Sequence, residues 1–277
     1  MSSLKNAAVL ALMSTLTACA AGGPQVYRSA QQTLPSNSYT IGILQDTMVS
    51  DHMHRFLDKG HTVYYMQNQG GGGAAAGLLL GPLGVLANVA AIKSQTNKDA
   101  TDLQDKIPVD VQAVFHTSLT QATTLSPAAQ GGQEPVLAPA LFVEKLDDEH
   151  LRFASMLCIT TQVGGKSMLR QYVYELPESY SRQALAHGLT TEQVAQLNTD
   201  LKTGFDWIVS TYVQDLQGAF KPSNKATIRS EFVTPRIQVP QVGYGFDAGT
   251  GRVGFAIQNA VATTVYSVPD GAATLTM

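Results

Sequence analysis

The chain predicts an α+β fold, an antiparallel sheet with two amphipathic helices packed on it. Two stripes and the runs between them carry that prediction. Val111, Val114, Phe115, Leu119 and Ala122 recur at steps of three and four behind Pro108, the spacing of one helix face. Val194, Leu197, Leu201, Phe205, Ile208, Tyr212 and Leu216 do the same over more than six turns. Between the stripes lie three extended runs, 141–146, 150–162 and 166–176, separated by polar or glycine turns. Turn signals at that spacing favour an antiparallel meander.

Each element has its local reason. The first of the three runs ends at the acidic triplet Asp147, Asp148 and Glu149; a calcium ligand set is conceivable there, but a solvated turn accounts for it. The second ends at Gly164-Gly165, and the third is expected to stop at Pro177. The long helix opens on Thr190 with Gln193 three residues on, the spacing of a capping box, and Gly218 is its expected terminator. Upstream, residues 39–44 and 61–66 read as strands, with a short helix expected over 48–57 and ending at Gly60. Downstream, residues 221–277 read as a β-rich unit punctuated by Pro222, Pro235, Pro240 and Pro269. Its expected strands are 237–242, 253–257 and 261–268, with turns at 249–252 and at Asp270-Gly271.

Residues 70–92 are set apart by composition: 23 residues without one charge, dominated by Gly, Ala and Leu. Gly73, Gly77 and Gly81 repeat every four residues and would share one helical face, letting another helix approach to backbone contact. Pro82 would kink or end such a helix, and the leading glycines are poor helix formers. Three readings stay open: a membrane-inserted or membrane-surface helix that self-associates, a buried helix or hairpin against the soluble core, and a mobile apolar linker. The pattern resembles the glycine-zipper segments of bacterial envelope proteins.

The amino terminus has the build of a secretory signal. Lys5 gives a positive start, residues 7–16 are an apolar run, and Leu16-Thr17-Ala18-Cys19 closes it with small residues. The run is too short to span a bilayer, which takes about 20 apolar residues. Its end resembles the lipobox of bacterial lipoproteins. That resemblance implies removal of residues 1–18, a diacylglyceryl thioether on Cys19 and acylation of the new amino terminus. Two or more acyl chains hold a protein stably to one leaflet. Ala20, in place of the Asp that favours inner-membrane retention in enterobacteria, implies the outer membrane and its periplasmic face. The covalent lipid is the one cofactor expected.

The chain so divides into the signal (1–18), a lipidated N-terminus and mixed segment (19–66), the apolar segment (67–93), the α+β module (97–220) and the C-terminal unit (221–277). The module's element order loosely resembles the periplasmic α/β domains of outer-membrane lipoproteins such as the peptidoglycan-synthase activators. About 259 residues remain after cleavage, and the formal charge moves from −3 to −4 because Lys5 is the only charge removed. With 14% charged and 44% hydrophobic residues, a sizeable core is available, while no basic stretch marks a nucleic-acid partner. If lipid occupies Cys19, Cys158 is left without a disulfide partner; it sits in an apolar run and reads as a buried small hydrophobe.

Catalytic constellations are hard to find. Gly164-Gly165-Lys166-Ser167 lacks the glycine that a phosphate-binding loop needs five residues before its Gly-Lys, where Thr160 stands, and reads as a hairpin turn. His52, His54 and His61 are the one histidine cluster; on a strand His52 and His54 would share a face and could ligate one ion with His61, but on the expected helix they diverge, so they are weak metal candidates. Glu175 and Glu178 flank Pro177 with no partner base in view. The chain is therefore expected to be a non-enzymatic envelope component that binds a partner or itself through Gly73, Gly77 and Gly81. The alternative is a periplasmic hydrolase whose site linear sequence hides.

Overall fold

Residues 136–181 build the centre of the molecule from three long antiparallel strands. These are β5 (Val136–Lys145), β6 (His150–Val163) and β7 (Lys166–Ser181). In this computed structural model the described residues are 26–34, 37–45, 54–67, 90–128, 134–163, 166–222, 224–234, 239–259 and 262–276. Before the centre come α1 (Ala30–Thr33), β1 (Ser38–Ile41), β2 (His54–Phe56), β3 (Val63–Gln67), helical residues 90–103 (α2), α3 (Val111–Leu119) and β4 (Ser126–Pro127). After it come α4 (Arg182–Ala186), α5 (Thr191–Leu216), β8 (Asn224–Ser230), β9 (Gln241–Asp247), β10 (Arg252–Gln258), β11 (Ala262–Pro269) and β12 (Ala273–Thr276).

All the described strands join one mostly antiparallel sheet, running β12-β8-β9-β10-β11-β7-β6-β5-β1-β4, with β2 and β3 attached beside β5. The α/β character and the dominant antiparallel sheet follow the expectation. The C-terminal strands continue the central sheet, because β11 pairs with β7 in parallel. β5 makes two parallel pairings: β1 takes its first residues, and β3 takes 141–145. Pro139, which has no N–H to donate, falls in the gap between those two partners.

Alternation along β5 and β6 sends side chains to two faces. Leu137, Leu141, Val143, Phe153, Leu157 and Ile159 lie under the helices, in one core with Phe115 of α3 and Leu201, Phe205 and Ile208 of α5. Ala138, Phe142, Ala154, Met156 and Cys158 point the other way, and meet Ile228, Phe255 and Val268 of the C-terminal strands and Phe232 of the turn after β8. The far end of the sheet therefore curls back over its own centre.

Helix α5 shows the predicted capping box: Thr190 Oγ1 accepts from Gln193 N at 3.3 Å, and Gln193 Oε1 accepts from Thr190 N at 3.0 Å. It ends at Leu216, and Gly218 follows in the left-handed region (φ 68°), as its terminator role requires. Where α5 crosses the sheet, Gly204 takes the backbone against Ser155 and Tyr174.

Two local expectations need correction, and one helical stretch was not foreseen. Residues 54–56 of the expected 48–57 helix form strand β2, because His54 pairs with Met66 and Phe56 with Tyr64 across a hairpin. Cross-strand aromatic packing there outweighs helix propensity; the remainder of the 48–53 stretch lies outside the described residues. Strand β7 runs past Pro177 to Ser181, because the β6–β7 register slips between Arg152 and Ala154 and leaves Pro177 in a bulge where no N–H is needed. Helical residues 90–103 extend into a stretch for which the sequence suggested no helix.

Candidate functional site

The cupped face of the curled sheet holds a cavity of about 210 Å³. Its walls are mostly apolar: Leu44, Met66, Phe142, Met156, Val173 and Phe232. Polar atoms converge on it from four strands, namely Tyr64 (β3), Glu144 (β5), Gln171 (β7), and Thr264 and Tyr266 (β11). Period-two alternation explains the placement. Glu144 sits between Val143 and Lys145, which face the helices, so its carboxyl is turned into the cup.

Glu144 is 1% exposed, and its Oε1 has no hydrogen-bond partner. Tyr64 is 4% exposed, with its hydroxyl likewise unpaired. Burial, reinforced by the nearby Glu175 carboxylate, holds the Glu144 carboxyl well above the usual carboxylate range. Burial also raises Tyr64, with Cys158 and Glu144 adding to it, and raises Tyr266, with Glu144 adding to it. Such orphaned buried polar atoms are rare in folded proteins and mark places where a further partner fits.

Phe232 also lines a second, more polar cleft of about 370 Å³ with Arg152, Glu175, Arg229, Glu231 and residues 271–274. Glu175 Oε1 lies 3.1 Å from Arg152 Nη1. Desolvation nevertheless dominates, and the Glu175 pKa is pushed up to about 7 against the pull of Arg152 and Arg252. The fold thus supplies the partners for Glu175 that were invisible in sequence. Glu178, by contrast, is exposed.

Cys19, Gly73, Gly77, Gly81 and His52 lie outside the described residues. His54 is buried, its ring 5.5 Å from that of Tyr64, while His61 stacks on Phe56 at 4.1 Å. Among the described residues no group of three His, Cys, Asp or Glu is placed to hold a metal. Cys158 is on the cavity wall, buried, with its thiol pushed up to about 11. Asp147 Oδ1 accepts from the Glu149 and His150 amides at 2.7 Å each, the hydrogen bonding of a turn. The two-residue link of β6 to β7, Val163 opposite Lys166, is the expected hairpin.

Glu144 escaped the sequence reading altogether. The signal was there: an acid and a lysine side by side in the otherwise apolar run 141–146, where alternation sends one to each face. Lys145, on the helix side, meets Asp99 of α2 at 2.8 Å.

Two further ties bear on how the chain meets its surroundings. Asp215, fully buried near the end of α5, accepts from Arg170 Nη1 (2.7 Å), Tyr27 OH (2.7 Å), Tyr172 OH (2.6 Å) and the Ala30 amide (2.9 Å). That knot pins residues 27–30 to the body. Across the apolar tract in sequence, the Gln67 side-chain amide lies 2.7 Å from Thr96 Oγ1 in α2. No described helix is long and apolar enough to cross a membrane.

Comparison with protein-family models, curated proteins and solved structures matches none of them.

Proposed function

We propose that the chain is a lipid-anchored component of a bacterial cell envelope, held through Cys19 to the periplasmic face of the outer membrane, that acts by binding and not by catalysis. The anchor rests on the signal and lipobox pattern ending at Cys19. The binding role rests on one observation, a buried carboxyl with an unpaired oxygen lining an apolar cavity. Pockets of that kind, mainly apolar with a few convergent polar groups and a perturbed acid, are the usual form of a ligand site.

The segment containing Gly73, Gly77 and Gly81 is proposed to mediate close contact with a second copy or an envelope partner. The residues bordering the tract, Gln67 and Thr96, are tied together, so a membrane contact made by it starts and returns on one side of the body. The acyl anchor would confine copies to a thin layer and raise their effective concentration. The hydrolase alternative has a thiol and an acid on the cavity wall and no histidine among the described lining residues.

Metabolic labelling with a palmitate analogue tests the anchor: Cys19→Ser should abolish the label and block processing, and equal labelling of the variant would overturn the lipoprotein reading. Cross-linking tests the contact. Leu at positions 73, 77 and 81 should abolish cross-linked oligomers with melting unchanged, whereas lower melting of a protein that is monomeric throughout refutes that role.

A further inference from the structure

Electrostatics in the cup select the charge of what it binds. Glu144 and Glu175 stand near each other across β6, close enough for the Glu175 charge to help hold the proton on Glu144, after burial. Arg152, on β6 between them, is engaged by Glu175 at 3.1 Å. None of the described residues lining the 210 Å³ cavity is a Lys or Arg and one of them, Glu144, is an acid, so an anion would enter with no counter-charge on the walls. The other titratable groups that face Glu144 there are the phenols of Tyr64 and Tyr266 and the Cys158 thiol. All three are kept protonated by burial.

The walls agree with the charge. Four aromatic rings line the space, Tyr64, Phe142, Phe232 and Tyr266. Tyr64 and Phe142 stack at 5.7 Å, and Phe232 meets Phe142 edge-on at 5.8 Å. Ring faces attract cations through their quadrupole, more strongly when water is excluded. A cavity of about 150 Å³ takes up benzene, so this one suits a body slightly larger.

Taking the cavity as the binding site, as the preceding reading does, we propose that its ligand is a small organic cation, an ammonium group on an apolar or aromatic body, with the Glu144 carboxylate as its counter-ion. The proton balance is simple. The cation enters while Glu144 is protonated, the O–H bond of Glu144 breaks, and one proton leaves to solvent as the carboxylate–ammonium pair forms. Affinity should therefore rise about tenfold per pH unit until Glu144 ionises in the free protein, and level off above that.

Calorimetric titration of the full chain in detergent with benzyltrimethylammonium, benzyl alcohol and benzoate tests the assignment. At pH 8 the cation should bind at least about tenfold more tightly than the alcohol, and benzoate should not bind. Repeating the titration at lower pH in buffers of different ionisation enthalpy should show close to one proton released per cation, a readout that needs no variant. Glu144→Gln should weaken the cation by about tenfold or more and leave the alcohol unchanged, its melting curve reporting that the fold is intact. Equal affinity for cation and alcohol, no proton release, or full cation affinity in Glu144→Gln would overturn the cation assignment while leaving the cavity a ligand site. Failure of all three probes to bind the wild-type protein would overturn both readings.

Discussion

Replacing Asp215 by alanine should be among the most damaging single changes on the helix side of the sheet. Asp215 is fully buried and takes four donors, one of them the guanidinium of Arg170, itself 4% exposed. Removing the carboxylate strands that charge away from water and leaves the hydroxyls of Tyr27 and Tyr172 without their acceptor. Breaking a buried pair from one side costs about 3–5 kcal/mol. For a protein of this size each kcal/mol lowers Tm by about 2–4 °C, so a fall of roughly 6–20 °C is expected. Arg170 keeps the Arg28 carbonyl at 2.6 Å, which favours the lower part of that range. Thermal melts of the Cys19→Ser protein with and without Asp215→Ala measure it, and amide exchange at Ala30 should accelerate in the same variant. Adding Arg170→Met to Asp215→Leu removes the stranded charge and should recover much of the loss. A melt within about 2 °C of the parent for Asp215→Ala, or a double variant no better than the single, would refute the reasoning.

Other predictions follow from the two faces of the sheet. Glu175 carries a pKa of about 7 against an ordinary 4.5. The folded protein holds a proton that the unfolded chain has lost, so this group's stabilisation is complete below about pH 4.5 and is lost as pH rises through 7, a change of order 3 kcal/mol. Glu144 is shifted in the same direction. Melting temperature should therefore fall between pH 5 and 7.5, and Glu175→Gln should flatten that slope; an unchanged slope would count against the shift. Gly204→Ala puts a methyl onto Ser155 Oγ and 3.0 Å from Tyr174 Cδ1. Overpacking by about 1–3 kcal/mol should outweigh the roughly 1 kcal/mol gain in helix propensity, and Ser155→Gly in the same chain should restore melting.

What could be read in advance was what depends on neighbours in sequence. The capping box at Thr190, the stop at Gly218 and the β6–β7 hairpin are local, and the structure contains them. The strand at His54–Phe56 was unreadable because its reason is Tyr64 and Met66 on the facing strand. Pro177 looked like a strand end because sequence does not show the bulge that accommodates it. The cavity depends on the sheet curling so that Phe232 of the C-terminal region meets Phe142 of the centre, 90 positions earlier. Periodicity can say that Glu144 faces away from Lys145, but not that β7 and β11 close over it.

Register across the sheet sets how the body can sit on a membrane. Gln67 lies level with Lys145, Lys145 with Leu151, and Leu151 with Tyr180. Arg170, which helps pin Tyr27, is ten positions earlier on β7, about 33 Å away along the strand. Tyr27 is eight residues from Cys19, so a lipid there would hold the Arg170 end within about 28 Å of the bilayer surface. The apolar tract borders the opposite end. Between Gln67 and helical residue 90 lie 22 residues, and an excursion out and back as helix would reach only about 16 Å. An end-on body would therefore lift the tract out of range of its own membrane. With a helical tract, both proposed membrane contacts hold together only if the body lies along the surface. Dyes attached at exposed positions 93, beside the tract, and 217, beside the pinned N-terminus, distinguish the two postures. Quenching of both by bilayer-resident quenchers is expected for the lying posture. Quenching at 217 alone would mean that Gly73, Gly77 and Gly81 face a protein partner and not the membrane proposed to hold Cys19.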